Sequence, residues 1–195
     1  MTAIIGIKDG KRIMVGSDGM YTSGHFINAI DNIGESKVQR IDGSPNCLIA
    51  CAGDSKIMVL VNGVKNLLDG KDDISFNYLV KNIMPKIVDV LDENNMVTTE
   101  DDEKSMECEL VIATKSHLYL INNSFEVSEC KGVVCCGVGS IALVSKYLEL
   151  KDKDISQEQL IIDCLDYSVK LTPTVGYPLS IYENDSTKEP LIIQK

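Results

Sequence analysis

Residues 2–19 read TAIIGIKDGKRIMVGSDG, two stretches that run or alternate apolar on either side of Asp9-Gly10. Asp-Gly between two such stretches is a strong short-range signal for a two-residue hairpin turn, because both residues tolerate positive φ. With Asp9 and Gly10 in the loop, Lys8 pairs with Lys11. Counting back along both strands then sets Thr2 opposite Ser17 and next to Asp18. A threonine one residue from the start of the chain is thus expected beside a carboxylate. Asp18 in "SDG" also has a plainer reading, as the cap of a turn before glycine.

The composition bounds what surrounds this hairpin. A chain of 195 residues, 44% hydrophobic, can bury one sizeable core, so a single domain over 1–195 is expected. The formal net charge of -10, with no basic patch, argues against nucleic acid as a partner. No apolar run approaches the roughly 18 residues of a membrane span. The first residues lack a charged segment followed by an apolar one, and the expected location is the cytoplasm. The seven cysteines are odd in number and form no CxxC pair, which suits free, reduced thiols. Cys47 and Cys51 lie in an apolar strand and Cys135 and Cys136 are adjacent, so no metal-ligand spacing exists and no metal or cofactor is expected. His25 and His117 belong to no Ser/His/Asp arrangement and read as surface or packing residues.

A second strand pair is expected at KVQRI and NCLIACAG, turning at DGSP; pairing Ile41 with Asn46 sets Lys37 opposite Ala50. Residues 19–36 between the two pairs read as a loop. Helical spacing predicts one helix through Ile57, Leu60, Val61, Val64, Leu67 and Leu68. A second runs through Leu79, Val80, Ile83, Met84, Ile87, Val88 and Leu91, with Pro85 as a kink point. The acidic DENNMVTTEDDEKSMEC reads as a solvated, structureless loop. Strands resume at ELVIAT, LYLI, FEVSE and GVVCCG. Helices follow over 140–149 and from Ser156, where SQEQ has capping-box form, and PLSIY and PLIIQ close the chain. Two sheets packed face to face, with helices outside each, would bury every apolar face.

Methionine removal, usual before a small residue, would give Thr2 a hydroxyl and a free α-amine together. An α-amine with a reference pKa of about 7.7–8.0 is substantially neutral near physiological pH, so it can take the hydroxyl proton without a histidine.

In order and spacing these motifs resemble those of the proteasome β subunits and the bacterial ATP-dependent peptidase subunit of the same family, N-terminal-nucleophile hydrolases. TAIIGIKDGKRIMVGSDGMYTSG resembles the family's opening hairpin and SKVQRI its lysine-bearing strand. IACAGD resembles the strand end with the oxyanion glycine, and GVVCCGVGS the glycine-rich turn into the third helix. The resemblance implies an α+β fold, a four-layer α/β/β/α sandwich of two antiparallel sheets. It implies Thr2 as nucleophile, Lys37 as the cation stabilising the alkoxide, Asp18 as its partner, and the Gly53 N–H as oxyanion donor. For Lys37 the plainer reading is an exposed strand-end cation, and for Gly53 a residue before a helix. Tyr21, Thr22 and Cys51 are implied to bind substrate, with Cys51 at the floor and Tyr21 on the wall of the pocket before the cleaved bond. Implied partners are a polypeptide substrate, further copies in a ring, and an ATP-driven unfoldase.

Two regions depart from the family pattern. Val138 stands where a serine commonly helps hold the α-amine, and Thr172 and Val175 stand near the last helix end in place of an aspartate and a serine. Either Ser17, Ser140 or Thr172 serves with water, or the chain is a noncatalytic shell or scaffold subunit. A small-molecule amidase on the same fold is a third reading, because the nucleophile's chemistry is the same.

Overall fold

The computed structural model describes residues 2–23, 26–29, 36–185 and 187–194, with the backbone alone at 22, 23 and 26–29. The first hairpin forms as expected but turns one residue later. Strands β1 (Ile4–Asp9) and β2 (Arg12–Asp18) pair Asp9 with Arg12 and Ile4 with Ser17, so Gly10 and Lys11 form the loop. Gly10 is at φ 59 and Lys11 is not left-handed, a turn that needs its glycine in the first loop position. The slip of two in pairing keeps every side chain on its expected face. Thr2 therefore falls opposite Gly19, not Ser17, and it is Ala3 that bonds Asp18, accepting its N–H at 3.1 Å.

Part of the expected loop over 19–36 is instead a two-stranded ribbon, β3 (Met20–Ser23) with β4 (Phe26–Ala29). Its β-branched and aromatic residues are strand formers that the polar residues between them obscured; His25 lies outside the described residues. Strands β5 (Val38–Ile41) and β6 (Ser44–Gly53) turn at Asp42-Gly43, and a register shift between Arg40 and Ile41 absorbs the extra residues. Val38, not Lys37, consequently sits opposite Ala50.

Helix α1 (Ser55–Asn62) stops well short of Leu68, at Gly63. Leu67 and Leu68 are still fully buried, carried in by turns with positive φ at Asn66, Asp69 and Gly70. Pro85 opens α2 (Met84–Glu93), directly after a wide π turn over Leu79–Ile83 that accommodates its missing N–H. The acidic segment is not structureless: β7 (Thr98–Glu100) and β8 (Glu103–Ser105) pair around Asp101 and Asp102, both left-handed, which aspartate tolerates. Strands β9 (Cys108–Ala113), β10 (Leu118–Ile121), β11 (Val127–Glu129) and β12 (Val133–Cys136) follow. The chain ends with α3 (Ser140–Leu150), α4 (Gln157–Leu171), β13 (Leu179–Glu183) and β14 (Leu191–Ile193). The Ser156 hydroxyl caps α4 by accepting the Gln159 N–H, while the Gln159 side chain turns to Asp163 instead of closing a capping box.

One antiparallel sheet has the order β12-β1-β2-β13-β14 and the other β11-β10-β9-β6-β5. Alternation sorts the apolar residues into three layers. Ile4, Ile13 and Val15 meet Leu48, Ala50 and Val111 between the sheets. Ile5, Ile7 and Met14 pack against Leu143, Ile161 and Leu165 of α3 and α4. Cys47, Ile49 and Cys51 pack against Ile57, Val61 and Ile87 of α1 and α2. The result is the four-layer α/β/β/α sandwich of an α+β fold. All seven cysteines are free, and no described helix is long and apolar enough to cross a membrane.

Asn184 staples the two sheets at the end that holds the first hairpin turn. Its amide donates to the carbonyls of Lys11 (3.1 Å), Thr114 (3.0 Å) and Lys115 (3.0 Å), and its oxygen accepts the Ile13 N–H at 3.0 Å. Replacing it leaves buried backbone groups unpaired. Asn184→Ala should lower unfolding free energy by about 2–3 kcal/mol in a urea titration, with an unchanged slope.

Candidate active site

In the first sheet β1 lies between β12 and β2; in the second, β6 lies between β9 and β5. The sequence-predicted residues converge at one end of these two interior strands. Thr2 lies two residues before the first residue of β1 and is only 4% exposed. Asp18, at the end of β2, is fully buried, and its carboxylate accepts four hydrogen bonds. One oxygen takes the Lys37 ammonium at 2.7 Å and the Ala3 N–H at 2.9 Å. The other takes the N–H of Met20 at 3.2 Å and of Gly176 at 3.3 Å. The bond from Met20 is the local turn cap that "SDG" suggests.

Lys37 is no exposed strand-end cation: it enters β5 with its side chain 4% exposed and crosses from the second sheet to Asp18 of the first. Burial lowers its pKa below 10.5, opposed by the adjacent Asp18 charge and hydrogen bond. The Tyr21 ring lies under the same ammonium, 5.2 Å from it, and the Cys51 N–H bonds the Lys37 carbonyl at 3.2 Å. Cys51 itself faces the α1 and α2 side of β6, with its thiol directed at the Asp54 carbonyl (3.6 Å). The structure thus brings Tyr21, Lys37 and Cys51 together; of Thr22 it describes only the backbone, in β3.

Gly53 ends β6 at φ 149, and a Cβ there would stand 2.2 Å from the Glu107 carbonyl oxygen, so no other residue fits. Asp54 follows as the cap of α1. An open cavity of about 530 Å³ begins at this end of β6, lined by Ala52, Glu107, Cys108 and Glu109 among others. The glycine-rich turn closes over Thr2 from the β12 side. The Gly139 N–H donates to the Thr2 carbonyl at 3.2 Å, and a Cβ on Gly137 would stand 2.3 Å from that same oxygen.

The two departures have different structural meanings. Val138, 50% exposed, points away from the core, whereas Val175 is 2% exposed and packs among Ala3, Leu143 and Leu165. Ser17 faces the inter-sheet layer and bonds Ser180 (3.0 Å), which bonds Ser36 (3.1 Å). Three contributors escaped sequence reasoning. Gly176 reaches Asp18 through the turn after α4, Ser168 bonds the Gly139 carbonyl at 3.4 Å, and Glu109 accepts the Gly137 N–H at 2.9 Å. Only Glu109 left a trace in the sequence, as the lone charge at the head of the apolar run ELVIAT. His117 stacks on Tyr119 and meets Glu129 far from this centre, and among the described residues no cluster of His, Cys, Asp or Glu is placed to hold a metal ion.

No protein-family model and no curated sequence matches the chain. Solved structures do. The chain superposes on Thiobacillus denitrificans BPH with a TM-score of 0.79 over 99% of both chains, at 14% identity. A structure of that protein in complex with epoxomicin gives 0.78 over 100% of both, also at 14% identity. The eukaryotic HslV of Trypanosoma brucei gives 0.67 over 93% of this chain and 98% of its own, again at 14%. The chain has the proteasome-like fold. The fold implied by the resemblance of the sequence motifs is therefore met in three dimensions.

A buried pair broken on one side leaves an uncompensated charge, so Asp18→Asn should cost about 3–5 kcal/mol in chemical denaturation. Because burial lowers the Lys37 pKa in the folded state, the unfolded chain binds more protons than the folded one between that lowered value and 10.5. Stability relative to Lys37→Met should therefore rise with pH across this window, as denaturation of both proteins at a series of alkaline pH values will register.

Proposed function

We propose that the chain is a threonine-type endopeptidase, one domain over residues 1–195, that acts after removal of Met1. The observation that carries this reading is the Asp18 carboxylate. One of its oxygens holds the Lys37 ammonium and the amide that follows Thr2, fixing nucleophile and cation against each other at the edge of a proteasome-like sandwich.

In the proposed reaction the freed α-amine of Thr2 takes the hydroxyl proton as Oγ attacks the scissile carbonyl. The Lys37 ammonium, held by Asp18, stabilises the alkoxide as it forms. The Gly53 N–H receives the oxyanion, and its lack of a side chain lets the substrate backbone come close. Collapse breaks the C–N bond, the protonated α-amine gives its proton to the departing amine, and an ester remains on Thr2. Water then attacks with the α-amine as base and releases the acid. Tyr21, Thr22 and Cys51 form the proposed pocket for the side chain before the cleaved bond. A small, soft thiol side chain at its floor suits leucine, tyrosine or phenylalanine, and such burial is worth roughly 1.5–3 kcal/mol. Assembly as a ring with the sites inside, served by an ATP-driven unfoldase, completes the proposal and rests on the resemblance of the sequence motifs.

A second reading, a noncatalytic shell subunit, draws on Val138 and Val175. Neither offers a hydroxyl to an α-amine, one being turned to solvent and the other sealed in the core.

Intact mass separates the readings at once, since retained Met1 removes the proposed base and leaves the shell reading. On protein lacking Met1, Thr2→Ala should abolish hydrolysis of peptide coumarylamides while leaving the oligomer seen by light scattering unchanged. A panel varied at the last residue should favour leucine, tyrosine or phenylalanine over alanine by about tenfold to a hundredfold. A preference for charged residues, or an unchanged profile in Cys51→Met, would remove Cys51 from the pocket.

A further inference from the structure

We propose that Glu109 is a positioning residue of this centre: through Gly137 it holds the turn that grips the Thr2 carbonyl, and it sets the gap between Thr2 and Gly53. The inference rests on the threonine-peptidase reading of Thr2.

The argument starts from the order of strands. Each neighbour of β1 is tied across the sandwich to a neighbour of β6. On one flank Lys37, at the start of β5, reaches Asp18 of β2 at 2.7 Å. On the other, Glu109 of β9 accepts the N–H of Gly137, the residue after β12, at 2.9 Å. Thr2 stands between the two ties on one sheet and Gly53 between them on the other.

Glu109 is well placed to couple those two residues. It lies directly opposite Ala52 in the β6–β9 ladder, one position from the Gly53–Cys108 pair. By alternation it shares the inter-sheet face with Val111 and Ala113, which belong to the apolar layer between the sheets. A half-buried carboxylate at the head of that face is costly unless it is hydrogen bonded, and a backbone N–H is the partner it has. Gly137 is at φ 80, and the Ser140 N–H bonds its carbonyl at 3.0 Å. Its N–H therefore points back towards β9 while the next turn delivers the Gly139 N–H to Thr2. Without the Glu109 anchor, one end of this turn is free to rotate, and the Thr2 carbonyl with it. Glu109 touches none of the reacting atoms; it acts through Gly137.

The test compares Glu109→Gln, which keeps an acceptor oxygen at the same reach, with Glu109→Met, which keeps the reach and loses the oxygen. Glu109→Ala serves as a second truncation should the methionine variant fail to fold. Each is freed of Met1, checked by mass and by thermal unfolding, and assayed with a tetrapeptide coumarylamide ending in leucine. Expected are a roughly tenfold to hundredfold loss of kcat with little change in KM for the methionine or alanine variant, the size a small misplacement of a nucleophile produces, and retention of most of kcat in Glu109→Gln. Faster hydrogen exchange at Gly137 and Gly139 should accompany the loss. A truncation variant that turns over like the wild type, or a glutamine variant as impaired as the truncations, overturns the positioning role while leaving Thr2 as nucleophile. Wild-type protein that lacks Met1 and still hydrolyses no peptide overturns the peptidase reading itself, and this proposal with it.

Discussion

The Lys37 ammonium lies 2.7 Å from the Asp18 carboxylate in the interior of the sandwich, and this contact dictates how several remote segments must run. A charge carried so far from water is tolerable only beside its opposite and only with its remaining lone pairs or protons satisfied. Asp18 meets that condition with backbone donors from Ala3, Met20 and Gly176. The start of β1, the bend after β2 and the turn after α4 are thereby drawn to one carboxylate. The β5 strand of the opposite sheet is drawn there too, through its lysine.

The same contact sets the state of the lysine. Burial makes Lys37 hold its proton less firmly, while Asp18 works the other way and keeps the side chain aimed. A cation in that state is suited to stabilising an alkoxide beside it. Val175 fits this picture as packing: it is buried in the same apolar cluster as Ala3, Leu143 and Leu165. Val138 faces outward, half exposed. The polar grip on Thr2 comes instead from the main chain, through Gly139, with Glu109 holding the turn from the far sheet.

Most strands and the two C-terminal helices were legible because their apolar residues recur at a single period. β1 and β2 alternate around Asp-Gly, and Leu160, Ile161, Cys164 and Leu165 mark one face of α4. The failures have specific causes. The first turn is one residue late because a glycine is required in the first loop position, a choice that Asp9-Gly10 alone does not reveal. The helix expected to reach Leu68 stops at Gly63, since burial of Leu67 and Leu68 is equally well served by a series of turns. The ribbon β7–β8 is exposed along nearly its whole length and so leaves almost no periodic signal. In the candidate site, Thr2, Asp18, Lys37 and Gly53 could be named from motif and spacing. Gly176, Ser168 and Glu109 could not, because their roles arise from contacts with residues distant in the chain.

The sequence by itself determined the alternation that makes two sheets, the amphipathic faces that place helices outside them, and the glycines without which Gly53 and Gly137 would clash with backbone. These are local properties: they depend on side-chain period and on allowed φ, both written in neighbouring residues. Only the tertiary structure decided that Asp18 receives four donors, that Lys37 crosses between sheets, and that Glu109 stands opposite Ala52 with Gly137 in reach. Those facts depend on strand order and on the slips of register at Gly10 and Arg40, and both are set when separate hairpins choose their partners across the core.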